Sequence, residues 1–169
     1  MVKDHSLSWG SSTKWQKVFF DLLDTWWKSK STRELIAKGS KRYNEANITE
    51  NLSEYLKKRL KQFEIPDSKP HDHSTVPDIR IRTQSGLIGE IYEDAIEVKK
   101  GLSSTNEENR LFGQISKYCR KYVHCYVVIC GGDINSGLVT EVWRHLQEDN
   151  KKKIAIWTSE RDLRFFKRQ

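Results

Sequence analysis

Residues 95–100, AIEVKK, constrain the fold of this chain more than any other stretch, because they set two charges inside an apolar strand. Glu97 and Lys99 are two apart, so on a strand they point to the same face. Apolar residues recur at both odd and even positions from Leu87 onward, which predicts a central strand with two covered faces. Charged groups on a covered face need a partner, a metal or a chemical role.

The remaining sequence alternates helical and strand-like patterns in the order α, α, β, β, α, β, α, β. Helical periodicity covers residues 11–30, 45–63, 106–122 and 136–149, and strand-like runs cover 78–83, 87–100, 124–130 and 152–160. The first two strands are joined across QSG (84–86), which predicts a hairpin. This order predicts an α/β fold, with a central mixed four- to five-stranded sheet flanked by helices. We expect a single domain over 1–169, made of an N-terminal helical extension (1–44), a core (45–130) and a C-terminal helix and strand (131–169).

The first predicted helix has an apolar face wider than a surface helix needs. Its apolar residues are Trp15, Val18, Phe19, Leu22 and Trp26, flanked by Phe20, Leu23 and Trp27. This pattern is typical of a helix lying across the core. The alternative is a surface for self-association, because large aromatic residues are enriched at protein interfaces.

Composition limits the kinds of partner and the cellular compartment that are expected for the chain. Thirty Lys and Arg against 23 Asp and Glu give a net charge of +7, which permits a polyanionic partner such as nucleic acid. The three cysteines, Cys119, Cys125 and Cys130, form no CxxC pair, which predicts reduced thiols rather than a metal or disulfide framework. No apolar run approaches the ~20 residues of a membrane span, and the N-terminus lacks a signal-peptide core. We therefore expect a cytoplasmic protein without membrane contact.

The strand before 95–100 supplies a second carboxylate. Asp78 opens that strand, with Ile79 and Ile81 alternating along it, so pairing of the two strands would bring Asp78 to Glu97. Two close carboxylates repel unless a divalent cation lies between them, and such oxygen ligands suit Mg²⁺ or Mn²⁺. Two alternatives stay open: Asp78 as a turn residue after Pro77, and an exposed charge ladder on the second strand.

Pro77 and Asp78, followed by Glu97, Val98 and Lys99, resemble the PD-(D/E)xK signature of the restriction-endonuclease-like nuclease superfamily. The core of that superfamily is a helix, a three-strand meander, a helix and a strand, in the order predicted for residues 45–130. The resemblance therefore implies a nuclease core over this range.

A second resemblance lies in GQISKY, where Gln114 and Tyr118 are similar to the QxxxY arrangement of the RecB-like branch. Residues four apart share a helix face, so both side chains would point the same way. The resemblance implies that they buttress the site or contact substrate. The alternative is a core tyrosine and a surface amide.

The superfamily resemblance also implies a metal-dependent hydrolysis of phosphodiester bonds. Asp78, Glu97 and the backbone carbonyl of Val98 would hold Mg²⁺ or Mn²⁺. Lys99 would orient or help deprotonate the attacking water and offset charge in the transition state.

An acidic residue from the preceding helix often completes such a site, and three glutamates are candidates. At about 100° per residue, Glu45 lies roughly 20° from Leu52 and 60° from Ile48 on the inward stripe. Glu50 and Glu54 fall about 140° and 180° away on the same count. We therefore predict Glu45 as the third acidic residue, with helix capping as the alternative.

Several basic residues near these segments are candidate phosphate contacts, although each also fits a solvated charge. They are Lys117, Arg120, Lys121, Arg80 and Arg82. The HDH at 71–73 lies in a proline-rich loop and is expected to be solvated rather than a metal ligand.

Taken together, the sequence predicts a metal-dependent endonuclease or exonuclease acting on nucleic acid, most simply DNA. The alternatives are a nucleic-acid-binding or assembly subunit without turnover, and an unrelated α/β domain with a chance motif. A homodimer or a larger complex is compatible with the chain, because one such site cuts one strand.

Overall fold

The computed structural model of the chain describes residues 12–37, 43–67, 76–84, 91–150 and 154–165. The elements are α1 (Ser12–Trp27), α2 (Lys30–Ile36), α3 (Glu45–Arg59), β1 (Ile79–Gln84), β2 (Ile91–Lys99), α4 (Thr105–Lys121), β3 (Cys125–Ile129), α5 (Ser136–Asn150) and β4 (Ile154–Thr158). A short 3-10 helix, Arg161–Leu163, follows β4. None of the helices in these ranges is long and apolar enough to cross a membrane.

The four strands form one sheet in the order β1-β2-β3-β4. β1 pairs antiparallel with β2, while β2, β3 and β4 pair in parallel. The structure therefore confirms an α/β fold with a mixed four-stranded sheet flanked by helices. β2 is a central strand, as predicted, and residues 94–98 are all buried.

The hairpin of β1 and β2 differs in detail from the prediction. Gln84, predicted to be in the turn, is still in β1 and pairs with Ile91, while the first residues of the predicted second strand, 87–90, lie outside the described residues. On the other edge of β1, Glu64 exchanges two backbone hydrogen bonds with Arg82, of 3.1 and 2.8 Å. Among the described residues, the expected three-strand meander is therefore reduced to β1, β2 and a single bridge at Glu64. Pro66 lacks an N–H and is poorly suited to extend that ladder.

The sheet separates two apolar layers. On one face, α1 and α3 pack on even-numbered residues of β2 and β3, including Ile96, Val98 and Val128. On the other face, α4 and α5 pack on odd-numbered residues, including Ala95 and Val127. A strand covered on both faces therefore carries Glu97 and Lys99 into the protein.

Helix α1 crosses the first of these layers. Phe19, Leu23 and Trp26 are fully buried, which confirms the interpretation of this segment as a core helix. Trp26 also donates its indole N–H to Asn51 Oδ1 at 2.8 Å. Val18 departs from the predicted stripe because its side chain is 38% exposed. The Trp15 side chain lies outside the described residues.

Helix α2 has no counterpart in the sequence prediction, which assigned a single helix from 11 to 30. The chain leaves α1 after Trp27, and Ser29 then caps α2 by accepting a hydrogen bond from Thr32 N–H at 3.3 Å. A serine in this position favours a new helix start over continuation, because its hydroxyl satisfies a free backbone N–H.

The three cysteines, Cys119, Cys125 and Cys130, are free and buried. Cys119 and Cys125 contact each other with their sulfur atoms 3.6 Å apart. Burial raises the pKa of Cys130 to about 12, which keeps that thiol protonated and unreactive near neutral pH. The HDH at 71–73 lies outside the described residues.

Candidate active site

The predicted residues converge where β1 begins and β2 ends. The last backbone pair between the strands is Ile79 with Ile96. Beyond this pair, Asp78, which directly precedes Ile79, accepts a hydrogen bond with its Oδ2 from the backbone N–H of Val98 at 2.7 Å. The side chain of Asp78 thereby accepts the hydrogen bond that a backbone carbonyl of β1 would accept if the strand pairing continued. This bond fixes Asp78 beside the last residues of β2. The interpretation of Asp78 as only a turn residue does not account for this bond.

Glu97 lies on the face of β2 that α4 covers, and it is only 2% exposed. Lys99 Nζ donates to its Oε1 at 2.6 Å, and the Tyr118 hydroxyl donates to its Oε2 at 3.2 Å. The Lys99 side chain is 12% exposed. The alternative of an exposed charge ladder is therefore wrong, because both groups are covered and paired.

The structure brings Glu45, rather than Glu50 or Glu54, to this cluster. Glu45 is the first residue of α3, and its Oε1 accepts a hydrogen bond from Lys99 Nζ at 3.3 Å. Glu50 and Glu54 are exposed. The helix cap is supplied by Asn44, whose Oδ1 accepts from Asn47 N–H at 2.9 Å. The side chain of Glu45 is therefore free of the N-cap role and turns toward Lys99.

Tyr118 links the two sides of the site. Besides Glu97, its hydroxyl lies 3.0 Å from the carbonyl of Val76, two residues before Asp78. A hydroxyl has one hydrogen, so these two acceptors share it. Gln114 is buried one turn earlier on the same helix. The contact with Val76 could not be predicted, because a backbone carbonyl carries no sequence signal.

Among the described side chains, negative charge is in excess at this point of the sheet. Burial, and then the charge of Asp78, raise the pKa of Glu97 to about 7, although Lys99 and Tyr118 oppose the shift. Burial alone would lower the pKa of Lys99, but the charges of Glu97, Glu45 and Asp78 raise it above its usual value. The ammonium group of Lys99 thus interacts with the charges of three carboxylates, those of Glu97, Glu45 and Asp78.

The donor set fits a hard divalent cation in its chemistry. Asp78, Glu97 and Glu45 offer only oxygen, which is what Mg²⁺ and Mn²⁺ prefer. The Val98 carbonyl leaves β2 on the same side as its N–H, which points to Asp78. Within the ranges described, no three His, Cys, Asp or Glu side chains form a group that could hold a metal ion. In the arrangement seen, the Lys99 ammonium bonds both Glu97 and Glu45.

The predicted phosphate contacts fall into two groups. Arg80 and Arg82 lie on β1 and form ion pairs with Glu93, at 3.9 Å for Arg80, and Arg82 also pairs with Glu64 at 3.5 Å. Their charges are therefore largely used inside the protein. The other three candidates lie exposed on the last turns of α4, and they are Lys117, Arg120 and Lys121.

Comparisons with solved structures show a likeness to a restriction endonuclease. No family model matches the chain, and no curated protein matches it significantly. The chain is similar to solved structures of the restriction endonuclease FokI, with a TM-score of 0.47 and 12% identity over 90% of this chain and 30% of FokI. For FokI bound to DNA the TM-score is 0.46, again with 12% identity, over 91% and 29%. The chain spans less than a third of the length of FokI.

The raised pKa of Glu97 predicts a pH-dependent stability. In the folded protein the pKa is about 7, against an ordinary 4.5, so this group stabilises the fold below pH 4.5 and loses that contribution as pH rises through 7. From pH 5 to pH 8 we expect the stability of Glu97→Gln to rise by roughly 2–3 kcal/mol relative to that of the original chain. Urea unfolding without divalent ions at both pH values measures this. If the difference in unfolding free energy between Glu97→Gln and the original chain is the same at pH 5 and at pH 8, the prediction is wrong.

Proposed function

We propose that this chain is a metal-dependent nuclease that hydrolyses phosphodiester bonds in DNA. The observation that carries the proposal is the meeting of Asp78, Glu97, Lys99 and Glu45 from three separate elements. Burying like charges together weakens a fold, so such clusters are typical of functional sites. The order of α3, β1, β2, α4 and β3 supports the same proposal, since it follows the order that the superfamily resemblance implies, with the third strand of the meander reduced to the bridge at Glu64 among the described residues.

Asp78, Glu97 and the Val98 carbonyl would hold Mg²⁺ or Mn²⁺, with Glu45 as a further ligand directly or through water. When bound, such an ion polarises the scissile phosphate and lowers the pKa of a coordinated water. The excess negative charge of the site supports this assignment, because a cation would relieve the repulsion between Asp78 and Glu97.

The chain's own residues would orient the reaction. Lys99 carries a charge that is held in place by Glu97 and Glu45, and it would position the attacking water and offset charge that develops on the phosphate. Tyr118 would fix the orientation of Glu97 by donating to its Oε2. Its second contact, with Val76, would hold the segment before Asp78 in register with β2. Gln114 would support Tyr118 from the same helix, which extends the proposal to the RecB-like branch.

Direct cleavage assays test the proposal. Supercoiled plasmid and a labelled single-stranded oligonucleotide are incubated with the full chain in Mg²⁺, in Mn²⁺ and in excess EDTA. We expect nicked, linear or shortened products with either metal and none in EDTA. Intact substrates in both metals, from protein that unfolds cooperatively, would contradict the enzyme. Tight binding without cleavage would instead favour an inactive binding or assembly subunit.

Double-strand cleavage would require a second site. One site of this kind cuts one strand, so linear plasmid formed in a single binding event would support a homodimer or a larger complex. The net charge of +7 supports a polyanionic substrate in either case.

A further inference from the structure

Beside the proposed site, the ammonium group of an exposed lysine lies over the face of an aromatic ring. Lys100 directly follows Lys99, and its Nζ lies 4.2 Å from the centroid of the Tyr43 ring. The same Nζ donates a hydrogen bond to the backbone carbonyl of Tyr43 at 2.9 Å. The ammonium is thus held at one position at the rim, although the side chain is exposed.

Tyr43 is itself fixed by the loop after β3. The Gly132 N–H donates to its hydroxyl, and the ring lies so close to Gly131 that a Cβ there would be 1.1 Å from the oxygen. Gly131 also has a φ of +64°, which favours glycine. The ring on which Lys100 packs is therefore held in place by residues that are far from it in sequence. The position of the ring is fixed by the fold rather than by Lys100.

Within the part of the chain that the structure describes, the charge of Lys100 is not used in an ion pair. Glu45 contacts Lys100 only through the backbone, because its Oε2 accepts a hydrogen bond from the Lys100 N–H at 3.3 Å, while its Oε1 accepts one from Lys99 Nζ. Across the described ranges no carboxylate forms an ion pair with Lys100, in contrast to Arg80, Arg82 and Lys99. An ammonium group has three N–H donors, so donors remain after the bond to Tyr43.

We propose that Lys100, held on Tyr43, binds a backbone phosphate of the nucleic acid next to the phosphate that is cut. This inference rests on the proposed nuclease function and adds a substrate contact to that same site. A point charge fixed at the rim attracts a phosphate without reading sequence, and it would align the strand over Glu97 and Lys99. Its contribution would be uniform across sequences and sensitive to salt.

Binding measurements separate this role from a structural one. All variants carry Glu97→Gln to prevent cleavage, and fluorescence anisotropy follows a labelled 20-nucleotide single strand and its duplex across a range of salt concentrations. We expect Lys100→Gln to weaken binding about 5–10-fold near 0.1 M salt and to lower the salt slope by about 0.7–0.9. Lys100→Arg should restore most of the affinity and the slope.

Lys58→Gln is the matched control, because Lys58 is exposed at the other end of α3 and the charge change is identical. It should bind as the unsubstituted background does. If Lys100→Gln and Lys58→Gln share one affinity and one slope, with equal melting temperatures, the inference is wrong and the proposed function stands. If the background itself binds neither probe, the proposed function fails and the inference fails with it.

Discussion

Replacing Glu97 with glutamine is expected to abolish cleavage and leave the protein folded. Glu97 is the most deeply buried carboxylate of the site and would be a metal ligand, so a neutral amide removes both charge and coordination. Loss of one such electrostatic group typically costs about 10²–10³-fold in rate, and a metal ligand costs at least that much. Initial rates of plasmid nicking in Mg²⁺, with far-ultraviolet circular dichroism as the folding check, measure the effect.

Glu50→Gln is the matched control for this variant. Glu50 is an exposed glutamate on α3 and lies on the side of the helix away from the site. Its replacement makes the same chemical change and should leave the rate within about twofold, as expected for a surface position. Equal rates for Glu97→Gln and the original chain would remove Glu97 from the mechanism.

Lys99→Met is also expected to abolish cleavage. Unlike Glu97→Gln, it is expected to lower the stability of the protein at pH 8. Methionine keeps much of the side-chain volume and removes the charge that pairs Glu97 and Glu45. Uncompensated buried charge is destabilising by about 3–5 kcal/mol, and we expect the lower part of that range at pH 8 because Glu45 is partly exposed. The loss should shrink as pH falls below 7, since Glu97 then takes up a proton.

Adding Mg²⁺ should return part of the stability of Lys99→Met, because a ligand that binds only the native state stabilises it. Combining Lys99→Met with Glu97→Gln should also recover stability, since the buried charge disappears with its partner. Urea denaturation at pH 6 and pH 8 tests both. A Lys99→Met variant as stable as the original chain at pH 8 would show that the ammonium group does not compensate these carboxylates.

Local sequence predicts those parts of this fold that depend on periodicity. Apolar residues at both odd and even positions of 87–100 predict a covered central strand, and β2 is buried on both faces. Helical geometry selects Glu45 from three glutamates on one helix, because the inward stripe of α3 leaves only that residue on the correct side. These features follow from the constant pitch of a helix and the two-residue repeat of a strand.

Other features depend on contacts between distant segments, which periodicity does not contain. The break between α1 and α2 depends on a local serine cap, which competes with helix continuation by a small free energy. The ion pairs of Arg82 follow from the register of β1 against β2, and that register opposes Arg82 and Glu93. The contact of Tyr43 with Gly131 requires the loop after β3 to approach the start of α3.

The environment of Lys100 illustrates the same limit at the site. In sequence it is the second of two adjacent lysines, and nothing distinguishes it from other exposed lysines. In the structure its neighbour Lys99 is enclosed by carboxylates, whereas Lys100 is held on Tyr43 with its charge unpaired among the described side chains. Adjacent identical residues thus acquire different environments because β2 ends between them.

A crystal of the chain soaked in Mn²⁺ tests the central claim most directly, through anomalous diffraction at the manganese edge. The predicted result is an anomalous peak within about 2.0–2.3 Å of oxygens from Asp78, Glu97 and the Val98 carbonyl, with Lys99 no longer bonded to Glu97. Glu97→Gln crystals in the same soak should lack the peak. An absence of manganese at this position in the original chain, with the Lys99–Glu97 pair intact, would contradict the account.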